Sequence, residues 1–482
     1  IKKEDENQSI KDSIYQASNK MFLPILYTVL TTICAFLSLI FSGIKPIIDF
    51  GWMMTLGLLV SMTITFTLIP SLLNIFSTSD DEIGDGQKDS KITRALASFA
   101  KNNTKSIFSS TIIIIILSIY GISKLEVENS FINYFDKKTE IYKGMKLIDD
   151  KLGGTTPLDI ILKFPENDNK TEKDDEFSEW DEDNQDNTAK YWFTRNKIDK
   201  IFKVHDYLDS LPEIGKVISF GSIVRVAEEL TGNKLETLEA GVLYSKIPNE
   251  IKKEIISPYI SVKDNEARIN VRIKDSLENL KRNALINKIN TELKSKVGLN
   301  ENEYKLAGVL ILFNNLLQSL FKSQILTLGV VMLGISIMFL ILFRNIILAA
   351  IGVVPNFIAA FFILGIIGLL EIPLDMMTIT IAAITIGIAV DNSIHYIYRF
   401  KEEFEKIKNY NLTIDKCHST VGIAILNTSI TIIFGFSILV LSNFIPTIYF
   451  GVFTGLAMLL ALISVLTLLP KLILVLKPFG NE

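Results

Sequence analysis

The chain has 482 residues, 49% of them apolar and 21% charged, with a mean hydropathy of +0.34. That is too apolar for an ordinary soluble enzyme and points to a membrane protein. The net charge of −4 leaves no basic excess to meet phosphates, so no nucleic-acid partner is expected. Two cysteines, Cys34 and Cys417, exclude a disulfide scaffold. Three scattered histidines, His205, His395 and His418, do not make a zinc site, so neither a metal nor a cofactor is expected.

Spans of about 20 apolar residues cross a bilayer as helices. In chain order the first two are 21–42 and 48–75. A basic linker, 77–105, follows and carries Lys88, Lys91, Arg94, Lys101 and Lys105. A short third span, 106–123, holds the isoleucine run Ile112–Ile116. After the long segment 124–322 come five spans at 323–343, 346–370, 376–398, 420–442 and 447–476, the last two separated only by a break at Pro446. The 399–418 segment is also basic, with Arg399, Lys401, Lys406, Lys408 and Lys416, whereas the opposite short loops hold Lys45, Asp49, Glu371 and Asp375. Basic short loops face the cytoplasm, so 124–322 is expected outside.

The segment 124–322 reads as an α+β domain. Ile141, Met145, Ile148 and Leu152 recur at helical spacing, ended by Gly153 and Gly154. Leu158, Ile160, Leu162 and Phe164 alternate with polar residues, as do Ile269, Val271 and Ile273, and these are strands with one buried face. Ile198, Ile201, Phe202 and Leu208 suggest a second helix, and Leu277, Leu280, Ile286, Ile289 and Leu293 a third. The alternation suggests split βαβ units. An insert at 165–190 holds eleven Asp/Glu against three Lys and is expected to be solvated and disordered. Asp181, Asp183 and Asp186 invite a calcium loop, but the turn glycine and closing Glu of an EF-hand are absent, and that reading is rejected.

Residues 14–72 align with 414–472 without a gap, at an offset of 400, with nineteen identities. These include Thr28/Thr428, Thr31/Thr431, Phe36/Phe436, Ser42/Ser442, Pro46/Pro446, Gly51/Gly451, Thr67/Thr467 and Pro70/Pro470. Two prolines, a glycine and four hydroxyl pairs mark an internal parallel repeat, a plan many transporters use. The first half of the repeat lacks the parts that precede the second, so the chain is expected to be the later portion of a longer protein.

Asp391 interrupts the apolar helix 376–398. A carboxylate inside a span marks an ion or proton path by default. Desolvation disfavours the charged form of any carboxylate, which makes reversible protonation available. Asn392 adds a neutral polar partner, and His395 follows one helical turn later on the same face. The alternative places Asp391 in the interfacial zone near Arg399, with His395 a ring at the membrane surface. Thr380 and Thr385 on the same helix, and Asn427, Thr428 and Thr431 on the next, are candidates to complete a relay; hydroxyls in such helices also bond their own backbone. The small residues Ala382, Ala383, Gly387 and Ala389 permit a close helix approach.

The run GIAVDNSIHYIYRFKEE at 387–403 resembles the motif of the resistance–nodulation–division (RND) superfamily. It is most similar to the branch that holds the mycobacterial-membrane-protein-large (MMPL) family, hopanoid transporters and Patched-like proteins. LFRNIILAAIGVVPN at 342–356 and EIPLDMMT at 371–378 support the match. The resemblance implies a polytopic α-helical membrane protein with porter-like extracytoplasmic domains, multi-pass in a bacterial inner (plasma) membrane. It implies proton-coupled export of lipids or other hydrophobic or amphiphilic molecules; the expected partners are that substrate, protons and, as a homo-oligomer, further copies of the chain. It places Asp391 at the proton-carrying position of the tenth helix; Asn392 stands where many relatives have Tyr. The expected proton relay is then Asp391, Asn392, His395, Thr428 and Thr431.

The corresponding organisation has five parts. Residues 1–76 are the last two spans of the first half, 77–105 the cytoplasmic linker and 106–123 a span. Residues 124–322 are the porter-like domain and 323–482 a five-helix bundle. The other class of function is a non-transporting component, a sterol-sensing-like regulator or a protein-translocation accessory. No nucleophile elbow, phosphate loop or metal motif suggests an enzyme. For the topology, Glu176→Cys is expected to react with an impermeant thiol reagent in intact cells and Asp85→Cys is not. Equal labelling of the two would overturn the orientation drawn from the basic loops.

Overall fold

The computed structural model describes residues 10–76, 90–125, 130, 132–165, 192–235, 237–277 and 280–480. The acidic insert, with Asp181, Asp183 and Asp186, lies outside the described residues. The chain divides into two compact units, one of Ile1–Val127 with Gln318–Glu482 and one of Glu128–Leu317.

The first unit is a helical membrane bundle. It opens with α1 (Ile10–Ser38), α2 (Lys45–Phe76), α3 (Lys91–Asn102) and α4 (Thr104–Ile122). The second unit supplies α5 (Glu140–Lys151), β1 (Thr156–Lys163), α6 (Arg195–Asp209), β2 (Ile214–Ile218), α7 (Phe220–Thr231), α8 (Thr237–Lys246), β3 (Ile260–Ser261), β4 (Glu266–Ile273), α9 (Arg282–Ser295) and β5 (Tyr304–Ala307). The long α10 (Val309–Phe343) returns the chain to the bundle. There α11 (Ile346–Leu369), α12 (Met376–Ile407), α13 (Tyr410–Ser419), α14 (Val421–Ser437) and α15 (Ile445–Leu476) complete it. Among the described residues eight helices are long and apolar enough to cross a membrane: α1, α2, α4, α10, α11, α12, α14 and α15. The basic segments 77–105 and 399–418, expected as connections, contain the additional helices α3 and α13. Their apolar stripes are short and their charge dominated the sequence signal.

Bundle packing rests on small residues, because lipid tails give helices no hydrophobic reason to associate. α4 crosses α11 where Ser118 and Gly121 meet Gly365 and Gly368. A Cβ on Gly365 would lie 2.6 Å from the Ser118 Cα, and one on Gly121 would strike the Gly365 carbonyl.

The repeat is visible in three dimensions. α1 and α14 each end in a single 3-10 turn, Leu39–Ser42 and Ile438–Leu441, before α2 and α15 begin. Phe36 meets Phe50 edge-on with ring centroids 5.9 Å apart, and Phe436 meets Phe450 at 5.9 Å. Gly51 and Gly451 sit so close to the preceding helix that a Cβ would come within 2.6 Å of the Phe36 and Phe436 carbonyl oxygens. Ser42 Oγ accepts from Ile44 N at 3.3 Å, and Ser442 Oγ from Phe444 N at 3.1 Å.

In the second unit β1 pairs antiparallel with both β4 and β5, and β2 pairs antiparallel with β4. The order is β2-β4-β1-β5. β1 and β2 are therefore parallel with β4 between them, and β4 and β5 are parallel with β1 between them. These are the two split βαβ units that the alternation suggested. Leu158, Ile160, Leu162, Ile269, Val271 and Ile273 form the buried face, covered by Ile198, Ile201 and Val204 of α6 and Leu285, Ile289 and Leu293 of α9. α5 forms where expected, with Thr139 capping its first turn. Its apolar stripe nevertheless stays outside the core: Ile141, Ile148 and Leu152 are exposed.

What anchors α5 is polar. Asp149 is fully buried, and its carboxylate accepts from Thr155 N at 2.9 Å, Thr155 Oγ1 at 2.8 Å, Asp275 N at 2.9 Å and Ser276 N at 2.8 Å. Beside it Arg282 pairs with Asp275, and both are buried. Burial pushes the Asp149 carboxyl up, but the bonds from Ser276, Asp275 and Thr155 outweigh it and hold the group below the ordinary aspartate value. A lowered folded value contributes stability above the unfolded value of about 3.9, and that contribution is lost as pH falls through the folded value. Asp149→Asn is expected to destabilise this unit by about 1–3 kcal/mol at neutral pH. The loss should begin to shrink as pH falls below the unfolded value of about 3.9 and vanish only below the lowered folded value, where the wild-type carboxylate also protonates. Denaturant melts of both proteins at pH 7 and pH 3 check this.

Candidate functional site

α12 is the most enclosed of the eight spans, packed against α1, α11 and α15. Its start is fixed by a reciprocal cap. Asp375 Oδ1 accepts from Met377 N and Thr378 N at 2.8 Å each, and Thr378 Oγ1 accepts from Asp375 N at 2.8 Å. Asp391 follows four turns later. Its side chain is half-buried, and its Oδ1 is buried with no hydrogen-bond donor among the described residues. An unpaired polar atom in this setting is costly. A proton is the simplest partner such an oxygen can take, so the arrangement is suited to alternate between carboxylate and carboxylic acid.

The other residues expected in the relay divide into three groups. Asn392 is close but turned aside, donating through Nδ2 to Ser429 Oγ on α14 at 3.2 Å. His395 stands one turn beyond Asp391 on the same face and is half-buried, as the spacing implied. Thr428 and Thr431 do not join Asp391. Thr428 Oγ1 donates to Ala424 O and Ile425 O at 3.0 and 3.1 Å, Thr431 Oγ1 donates to Asn427 O at 2.9 Å, and both threonines are exposed. Each hydroxyl is satisfied by its own helix, the ordinary alternative for Ser and Thr in membrane helices.

Their repeat mates lie on α1, the helix that packs against α12. α1 and α12 run antiparallel, since Thr32 Oγ1 reaches Gly387 O at 3.3 Å while Lys20 Nζ meets Glu402 at 2.6 Å. One turn back from Thr32 on α1 is Thr28, and one turn on from Gly387 is Asp391. Thr28 is buried and donates to Ile25 O at 2.9 Å. The duplication was readable and names Thr28 beside Thr428; which copy faces α12 is a matter of helix packing.

A polar pair not expected from the sequence is Asn356 with Ser393. Asn356, at the level of a proline in α11, is fully buried; its Nδ2 donates to Gly352 O and to Ser393 Oγ at 2.8 Å each. Asn356 Oδ1, Thr385 Oγ1 and Thr454 Oγ1 are, like Asp391 Oδ1, buried without a partner among the described residues. The available signal was an asparagine following Pro355 inside an apolar helix.

The fold is that of a multi-pass membrane protein. The chain matches the MMPL family model over residues 2–99 and 205–480, and it belongs to the MMPL family. A membrane protein of Methanocaldococcus jannaschii is 34% identical over 154 residues, 32% of this chain and 40% of that protein. The cryo-EM structure of the hedgehog release protein Disp from the water bear Hypsibius dujardini matches in fold, with a TM-score of 0.55 and 15% identity over 97% of this chain. The matched region spans 59% of the Disp chain.

The contact that seats α1 on α12 is tight: a Cβ on Gly387 would overlap the Ala35 side chain, whereas the repeat mate of Ala35, Gly435, has open space. Gly387→Leu is expected to destabilise the bundle by about 1–3 kcal/mol through overpacking, and Gly435→Leu by much less. Thermal unfolding of the two variants in one detergent checks the contrast.

Proposed function

We propose that this chain belongs to a proton-driven exporter of lipids or other hydrophobic or amphiphilic molecules in the plasma membrane. In this reading the basic loops face the cytoplasm and the α+β unit lies outside. The observation that carries the proposal is the unpartnered Oδ1 of Asp391 on the most enclosed span. Membership of the MMPL family supports the transport class.

The coupling follows from electrostatics. A carboxylate at a span centre costs about 2.5–3.5 kcal/mol on insertion scales, a factor of roughly 10² in an equilibrium. Protonation removes that cost. An arrangement that seals Asp391 from water is favoured when the group is neutral, and one that wets it is favoured when the group is charged. Loading a proton from one side and releasing it to the other then biases the helix rearrangement in one direction. His395, on the same face, is the candidate to pass protons along the helix; Thr28 is a candidate hydroxyl on the facing helix.

Asp391→Asn keeps the shape and cannot titrate. In the full-length protein it is expected to fold, insert and reach wild-type levels while abolishing proton-coupled export. Asp391→Glu retains part of the activity, and His395→Ala has a smaller effect than Asp391→Asn. Export of a hydrophobic substrate at matched expression checks this, and wild-type export by Asp391→Asn would make the carboxylate structural.

A further inference from the structure

A groove of about 380 Å³ runs along the membrane bundle between α4, α11 and α15. Its walls are mainly apolar, with Ile114 from α4, Phe362 from α11, and Leu460 and Ile463 from α15. Leu96 and Phe99 of α3 line its other end. α3 is amphipathic and leads through Asn103 directly into α4. It buries Thr93, Ala97 and Ala100 in the bundle and leaves Ile92 and Phe99 exposed, at 58% and 39%. A helix of this kind lies in the interface of a bilayer.

The chemistry at the α3 end is cationic. Thr467 and Leu468 line the groove, and the next residue on that face of α15 is Lys471. Lys471 is buried, at 5% exposure, inside a membrane helix. Its Nζ donates to the Lys101 carbonyl at 2.9 Å, and among the described residues no carboxylate pairs with it. An ammonium carries three donors, so one bond leaves donors to spare. The adjoining segment 90–106 adds Lys91, Arg94, Lys101 and Lys105 and contains no acidic residue. Lys101 is engaged with Asp415 at 2.6 Å. Asn103 makes no side-chain cap, so the first amides of α4 are presented at the same corner. The repeat separates scaffold from addition: Thr467 and Pro470 match Thr67 and Pro70, but the mate of Lys471 is Ser71. A lysine within a span needs a reason, and the duplicated architecture does not supply one.

We propose that this groove binds one acyl chain of an anionic phospholipid, with the phosphate held by Lys471 and the basic α3–α4 corner. The apolar walls take the chain, and the lysine meets the charge where the groove reaches the interface. The site is separate from Asp391 and does not depend on the export reading.

The test uses full-length protein in vesicles of equal phosphatidylglycerol and phosphatidylcholine with identical chains. Lipid retained after mild detergent extraction is counted by native mass spectrometry. Wild type is expected to retain phosphatidylglycerol at least tenfold over phosphatidylcholine. Lys471→Met should bring that ratio close to one, and Lys471→Arg should preserve it. Thr111→Trp, which fills the groove from α4, should lose the retained lipid of both kinds. No preference in wild type, or an undiminished preference in Lys471→Met, overturns the proposal. Phosphatidylglycerol retained by Thr111→Trp as by wild type also overturns it, since the lipid would then sit on the basic surface outside the groove. If Lys471→Met does not fold, the comparison of Lys471→Arg with Thr111→Trp decides in the same way.

Discussion

Inside a bilayer every polar atom must find its partner within the protein, and this membrane unit departs from that rule at a few enclosed positions. Asp391 Oδ1, Asn356 Oδ1, Thr385 Oγ1 and Thr454 Oγ1 are buried without partners among the described residues, while most hydroxyls along the spans bond the carbonyl one turn back. Only Asp391 among the four can take up or release a proton. Its enclosure is produced by apolar packing and by the close approach of α1 at Gly387. The carboxylate would be an ordinary surface charge on a helix with fewer neighbours; on α12 its protonation state becomes an energetic property of the bundle.

The duplication shows how one sequence pattern yields two environments. The Phe36–Phe50 and Phe436–Phe450 contacts, the close approaches of Gly51 and Gly451, and the Ser42 and Ser442 caps agree closely between copies. These are contacts within each helix pair, so each copy carries all the residues that make them. Contacts from a pair to its surroundings differ. α1 lays Thr32 and Ala35 against Gly387 of α12, whereas their mates on α14 are the half-buried Ile432 and the exposed Gly435. Lys471 differs between the copies in the same way: its mate is Ser71, and its Nζ donates to the Lys101 carbonyl of α3.

The α+β unit is held differently. Its sheet buries one apolar face beneath α6 and α9, as strand alternation requires. Its connection to α5 is set by Asp149 bonding the backbone of Asp275 and Ser276. Buried polar networks of this kind are costly to disturb and tolerate few geometries, so they fix the direction in which α5 leaves the sheet. The apolar stripe of α5 remains exposed.

The sequence by itself determined the eight spans, the repeat, the strands β1 and β4, and Asp391 as the anomalous residue. Each of these depends on a local property: hydropathy over about twenty residues, a constant offset, a period of two, or a single charge in an apolar run. It did not reveal α3 and α13, where short amphipathic stripes sit among many lysines, nor β2 and β5, which are only five and four residues long. The tertiary structure alone decided that Thr32 and Ala35 of α1 meet Gly387, that Asn392 turns to Ser429, that Asn356 and Ser393 pair, and that Lys471 reaches the Lys101 carbonyl. All of these are choices of helix rotation and neighbour. Helical periodicity says which residues share a face, but packing decides what that face meets.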